Sequence, residues 1–170
     1  MSPITRANER NRVVIEEVKP EIDGGRFAIK RTLGERVVVE ADVYADGHDA
    51  IACMLRYRRA DGPRWSEAPM QPLGNDRWRG EFTVTELGRH RYTVMGWIDP
   101  FASWRQDLIK RVLPEDIAGA FLIGADRIED AAGRAKGSHA KRLKEIGAAL
   151  RGGRVVCSRL VDVAHAPTIP

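Results

Sequence analysis

Cysteine is nearly missing from this sequence: Cys53 and Cys157 are the only two in 170 residues. A fold held together by a disulfide framework is therefore not expected. Cys53 falls on the apolar side of an alternating run, where a buried free thiol is the expected state. Excess charge of one sign is also lacking. Lys and Arg number 28 against 24 Asp and Glu, a formal net charge of +4, too balanced for a dedicated nucleic-acid binder. No apolar run approaches the roughly 18 residues of a membrane span, and the start, Met1 to Arg10, has no core of signal-peptide length. The expected compartment is the cytoplasm, with no membrane and no nucleic-acid partner. Catalytic signatures are missing too: Gly-x-Ser-x-Gly, His-Glu-x-x-His and a Gly-rich phosphate loop do not occur. His90, His139 and His165 are scattered, with no serine or cysteine at a telling spacing. No catalytic residue, metal site or cofactor is expected in this chain.

What the sequence does have is alternation. Val13 to Val18 reads as a strand stopped by Pro20, which cannot donate to a ladder. Ile22 to Arg26 is a turn, and Phe27-Ala28-Ile29 a short edge strand. From Arg36 to Ala45, Val37, Val39, Ala41 and Val43 share one face. From Ile51 to Arg59, Ile51, Cys53, Leu55 and Tyr57 do the same, and Asp46-Gly47-His48-Asp49 between the two runs reads as a hairpin connection. A short strand follows from Trp65 to Met70, then a turn at Leu73 to Asp76. Arg77 to Val84 places Trp78, Phe82 and Val84 together. His90 to Ile98 groups Tyr92, Val94 and Ile98, with Trp97 on the opposite side. Tyr92, shortly after Leu87-Gly88, resembles the tyrosine corner of immunoglobulin-like sandwiches. The expected fold is mainly β, an immunoglobulin/fibronectin-III-like β-sandwich over residues 13–100.

The period then changes. Trp104, Leu108 and Val112 lie at helical spacing, with Ser103 as a cap. Pro114 opens a second helix carrying Ile117, Phe121, Gly124 and Ile128, interrupted at Gly133 and Gly137. Leu143, Ile146 and Leu150 mark a third. About three α-helices are thus expected over 101–151. Residues 1–12 are expected to fray, and 152–170 form a tail of neither clean pattern.

Several motifs recur in an order that carries a family resemblance. They are Val18-x-Pro20, Gly24-Gly25-Arg26-Phe27-x-x-Lys30-Arg31, Gly34-Glu35 and Asp46-Gly47-His48-Asp49, then Trp65 and Pro69-Met70. Asp76-Arg77-Trp78-x-Gly80, Gly88-x-x-x-Tyr92 and Trp97-x-Asp99-x-Phe101-x-x-Trp104 complete the set. Together, over residues 13–112, they resemble the N-terminal region of bacterial alpha-1,4-glucan:maltose-1-phosphate maltosyltransferases, enzymes of glycoside hydrolase family 13 type that extend α-glucan. The resemblance implies an N-terminal sandwich followed by the start of a helical insertion, both contributing to a homodimer. It also implies a catalytic barrel downstream that is not in these residues, so no catalytic position carries over. After about residue 134 the match is expected to be poor.

Other readings compete with this non-catalytic structural and dimerisation role. Asp46, His48 and Asp49 have metal-ligand chemistry, but polar residues clustered in one turn ordinarily satisfy backbone donors there. Exposed tryptophan stacks on sugar rings, which makes Trp65 and Trp97 the candidate α-glucan contacts. Trp78 and Trp104 have core parity. A third reading is a protein–protein adaptor that uses an uncovered helical stripe. Arg56, Arg58, Arg59 and Arg64 form a basic cluster that reads as protection of an edge strand. A second basic group, from Arg134 to Lys144, reads as a solvated helix face.

Overall fold

The computed structural model of the chain describes residues 13–152. Two compact units divide between Asp99 and Pro100. The first is a two-sheet antiparallel β-sandwich and the second is helical.

Seven strands build the sandwich: β1 (Val13–Lys19), β2 (Arg36–Ala45), β3 (Ile51–Arg59), β4 (Ser66–Pro69), β5 (Gln71–Gly74), β6 (Arg77–Thr83) and β7 (His90–Ile98). One sheet has the order β1-β2-β6-β5 and the other β4-β3-β7. The alternating valines of β2, with Cys53 and Leu55 of β3, Phe82 of β6 and Val94 of β7, form the core between the sheets. The consecutive strands β2 and β3 do not pair, so the link at Asp46 to Asp49 is not a hairpin. It carries the chain from one sheet to the other, across the ~10 Å that separates packed sheets. Alternation shows which side of a strand is apolar. Two strands facing each other across a core carry the same alternation as two lying side by side.

The chain crosses back at Met70, which is 5% exposed and donates its N–H to the Cys53 carbonyl at 3.0 Å. There β4 ends and β5 begins in the other sheet. The expected turn at Leu73 is therefore partly a strand, and Pro72 is tolerated in it because β5 is an edge. Glycines let the layers approach at two points. A Cβ on Gly80 would lie 2.9 Å from Met70 Cγ, and one on Gly96 would lie 2.8 Å from Val43 Cγ1. Cys53 is a buried free thiol, and burial pushes its pKa up to about 12.

Phe27 to Ile29 form no strand. Phe27 makes an isolated bridge to Ile22, and Phe27 itself is exposed. Asp23, Gly24 and Gly25 have positive φ, which turns the chain too sharply to align with a neighbouring strand. Tyr92 does not make a tyrosine corner either. Its hydroxyl donates to the carbonyl of Pro20, 72 residues upstream, and so pins the end of β1 rather than its own turn.

Trp78 packs against the sandwich core while remaining half-buried, and its Nε1 donates to the Val43 carbonyl at 3.2 Å. Trp78→Ala is expected to cost about 3 kcal/mol, and Trp78→Phe, which keeps a ring but loses that bond, about 1 kcal/mol. Urea titrations of the two variants check the ratio.

The helical unit consists of α1 (Pro100–Lys110), α2 (Pro114–Arg134) and α3 (Gly137–Arg151). Ser103 lies inside the first turn of α1 instead of capping it. Val112 lies beyond its end, 85% exposed. Gly133 does not interrupt α2, which runs on through Arg134. Gly137, with φ +63, begins α3. Trp104, Leu108, Ala120, Ala125, Ile128 and Leu150 form the unit's core, with Ile117, Phe121, Leu143 and Ile146 packed around it.

Arg151, on the last turn of α3, reaches across to α2 and binds Asp126 at 2.6 Å and Glu129 at 2.7 Å. The guanidinium holds the Glu129 carboxyl below its ordinary 4.5, and the carboxylates raise the pKa of Arg151. A carboxylate with a depressed folded-state pKa stabilises the fold above its unfolded value, and this is lost as pH falls through the folded value. Arg151→Gln is therefore expected to lower stability at neutral pH and to converge with the wild type in acid. Denaturant titrations across that range test it.

The expected tail at 152–170, with Cys157 and His165, lies outside the described residues except for Gly152, and the expected fraying of 1–12 lies outside them entirely.

Candidate functional site

The outer face of the three-stranded sheet gathers the side chains that sequence reasoning singled out. On β3 the outward positions are Ala52, Met54, Arg56 and Arg58, and on β7 they are Arg91, Thr93, Met95 and Trp97. Trp65 immediately precedes β4, which pairs with the other side of β3.

Trp65 and Trp97 stand at opposite ends of this face. Trp97 pairs in register with Ala52, whereas Ser66, next to Trp65, pairs with Tyr57. About six residues of strand separate the two levels, or roughly 20 Å at 3.3 Å per residue. They do not form one subsite. Trp97 is half-buried beside the small Ala52, and Met95 next to it is 43% exposed. Trp65 is half-buried and its ring is already engaged. The guanidinium of Arg58 lies 4.7 Å and that of Arg56 5.3 Å from its centroid, contacts worth about 0.5–2 kcal/mol each.

β3 is the middle strand of its sheet. The reading of Arg56 and Arg58 as guards of an exposed edge is therefore overturned. Arg58 donates to the Gly62 carbonyl at 2.6 Å, and Arg56 forms an ion pair with Glu67 at 3.0 Å. The Nε atoms of both arginines are buried without a hydrogen-bond acceptor. The Arg56–Glu67 contact is thus close in distance but poorly aligned. Arg59 has the other parity and is held by Asp61 and Glu86. Directly opposite Arg58 on β7 is Arg91. Sequence reasoning missed that residue, because only a long-range register brings the two arginines together.

The Asp46, His48 and Asp49 group sits in the inter-sheet link. Among the described residues, no three His, Cys, Asp or Glu side chains lie together as a metal site would need. No described helix is long and apolar enough to cross a membrane.

The N/S-domain family of alpha-1,4-glucan:maltose-1-phosphate maltosyltransferase matches residues 11–169. The chain belongs to that family. The match extends well past residue 134, where the resemblance was expected to fail, so the helical unit is part of the family domain. Among curated relatives, the alpha-1,4-glucan:maltose-1-phosphate maltosyltransferase of Chlorobaculum tepidum is 47% identical over 135 residues, covering 79% of this chain. The protein of that name from Myxococcus xanthus is 45% identical over 129 residues, covering 73%. The chain spans only 20% and 19% of these relatives' lengths.

Proposed function

We propose that this N/S domain is a non-catalytic structural and assembly region of a maltosyltransferase that extends α-1,4-glucan from maltose 1-phosphate in the cytoplasm. In this reading the complete enzyme is of glycoside hydrolase family 13 type. The sandwich, an immunoglobulin-like one, braces its catalytic barrel, and the helices build a homodimer. The observation that carries the assembly role is the apolar exposure of the helical unit. Ile109 is 75%, Val112 85%, Leu113 55%, Leu122 50% and Ile123 51% exposed. Side chains of this size outside a unit's own core mark a surface that another protein covers. Sedimentation equilibrium tests it: a dimer is expected, with Ile109→Glu and Val112→Asp restoring the monomer. A strictly monomeric wild type at high concentration would sink the reading, and capture of a different protein in its place would make the unit an adaptor.

A second reading, α-glucan binding, is favoured by Trp97 more than by Trp65. The Trp65 ring is taken up by two guanidiniums, whereas Trp97 shares an outward face with Met95 and a neighbour as small as Ala52. Affinity electrophoresis in soluble starch is expected to retard the wild type and not Trp97→Ala. Equal migration of the two excludes this role for Trp97.

A further inference from the structure

Four strands lie at sheet edges: β1 and β5 in one sheet, β4 and β7 in the other. An edge strand presents unpaired N–H and C=O groups, and proteins ordinarily blunt such edges. Three of the four are blunted here. β1 has a register shift between Glu16 and Lys19, with Glu17 at φ 50, and is stopped by Pro20. β4 is four residues long and ends on Pro69, and β5, also four, contains Pro72. β7 differs. Its nine residues hold no proline and stay in unbroken register with β3 from His90 to Ile98. They present about 30 Å of regular edge at 3.4 Å per residue.

The bonding parity of that edge follows from its two ends. The Ala60 N–H donates to the Arg89 carbonyl and the Asp99 N–H to the Ala50 carbonyl, each at 2.8 Å. Bonded and non-bonded pairs alternate along an antiparallel ladder. Arg91, Thr93, Met95 and Trp97 therefore turn their backbone groups to β3. His90, Tyr92, Val94, Gly96 and Ile98 turn theirs the other way, where no described strand meets them. The core beside this edge is incompletely covered as well. A Cβ on Gly96 would lie 3.0 Å from Val13 and 3.7 Å from Ile15, which places β1 over β7. Ile15 and Val18 of β1 pack against the core but are only partly buried.

We propose that the free edge of β7 receives an extended strand from the part of the maltosyltransferase outside these 170 residues, which adds to the sheet and closes the core over Ile15 and Val18. The proposal rests on the reading of this domain as one part of a longer enzyme, and not on its dimer. The row of backbone groups fixes the class of partner. It is an extended segment that bonds through alternate residues, without proline at those positions, and with apolar side chains turned toward β1. Its source follows from length and topology. The chain spans 20% of the Chlorobaculum tepidum relative, so most of such an enzyme lies outside it. In an immunoglobulin-type sandwich, whose A-B-E-D sheet has the order of β1-β2-β6-β5, the strand equivalent to β7 is flanked by one further strand. Here the chain enters α1 directly after β7.

The test uses the full 170-residue chain and overlapping synthetic peptides that cover the rest of the Chlorobaculum tepidum relative. In the chain alone, the amides of Tyr92, Val94, Gly96 and Ile98 are expected to exchange with solvent faster than those of Arg91, Thr93, Met95 and Trp97. One peptide, or two that overlap, is expected to bind saturably and to slow exchange at the first set by about tenfold or more. Methylating backbone nitrogens of that peptide at one parity is expected to weaken binding by about tenfold or more, because it removes the donors that face the edge. Methylation at the other parity should leave binding nearly unchanged. The Ile109→Glu chain should bind the same peptide equally well, so that failure of the helical dimer and failure of this proposal are read separately. The proposal is overturned if the edge amides are already protected in the chain alone. It is equally overturned if chain concentration protects them without peptide, which would make a second copy the occupant. Absence of any binding peptide, or equal effects of methylation at both parities, would also sink it.

Discussion

Trp104→Ala is expected to cost about 3–5 kcal/mol, the range for emptying a buried tryptophan site. Trp104 is 5% exposed and lies against Phe101, with ring centroids 5.2 Å apart, and its Nε1 donates to the Ala120 carbonyl at 2.7 Å. Ala120 and Ala125 of the same core are too small to fill the hole, so closing it would require Phe101 or another larger neighbour to leave its own packing. Total stabilities run to about 5–15 kcal/mol, so the loss is a large fraction of what holds the chain folded. The sharper form of the test lies on α2. A Cβ on Gly124 would fall 2.1 Å from Trp104 Cζ2, whereas one on Gly119 or Gly133 would meet nothing within 4 Å. Alanine is a better helix former than glycine by about 1 kcal/mol, so Gly119→Ala and Gly133→Ala are expected to stabilise by up to that amount. Gly124→Ala is expected to reverse the sign and destabilise by about 1–3 kcal/mol, because the indole must move. Urea titrations followed by far-UV circular dichroism on the three variants decide it. A stabilising Gly124→Ala would mean that the indole does not rest on that glycine.

The helical stripe was legible in the sequence because it is local: Ile117, Phe121, Gly124 and Ile128 repeat with the helix period. That Gly124 is a seat for Trp104 was not, since nothing in a period tells a glycine that interrupts a helix from one that receives a ring. The same limit governs the sandwich. Parity placed Val37, Val39, Ala41, Val43, Cys53 and Leu55 inward correctly, because a half-buried strand must alternate. Which strand lies beside which is settled by contacts between distant parts of the chain. The link at Asp46 to Asp49 therefore read as a hairpin although it crosses between sheets, and Arg56 and Arg58 were placed on an edge although their strand is central. β5 was overlooked because Pro72 argues against a strand, an argument that fails at an edge where the missing donor faces no partner. At the candidate site, the outward parity of Trp97 was legible, whereas the half-burial of both Trp65 and Trp97 was not. The stacking of two arginines on Trp65 and the roughly 20 Å between the two levels were not legible either, because both depend on register.

Leu55→Ala in the sandwich is expected to cost about 2–5 kcal/mol, and its coupling to Gly80 tests the close approach of the two sheets. Leu55 is fully buried at 0% exposure on the central strand β3. Across the core, Gly80 of β6 leaves room for it: a Cβ there would lie 3.2 Å from Leu55 Cβ, 3.4 Å from Leu55 Cδ2 and 2.9 Å from Met70 Cγ. Gly80→Ala alone is thus expected to destabilise by about 1–3 kcal/mol through overpacking. In the Leu55→Ala background the Cδ2 contact is gone and Met70, an unbranched side chain, has a void to enter. The 3.2 Å approach to Cβ remains, but with Met70 free to move the added methyl is crowded less than in the wild-type background. The double variant should be more stable than the sum of the single losses by about 1 kcal/mol or more, a coupling expected only of residues in contact. Strict additivity would mean that β3 and β6 do not face each other at this level. That would undo the inter-sheet crossings on either side of it, at Asp46 to Asp49 and at Met70, because both follow from β3 lying in the sheet opposite β2 and β6.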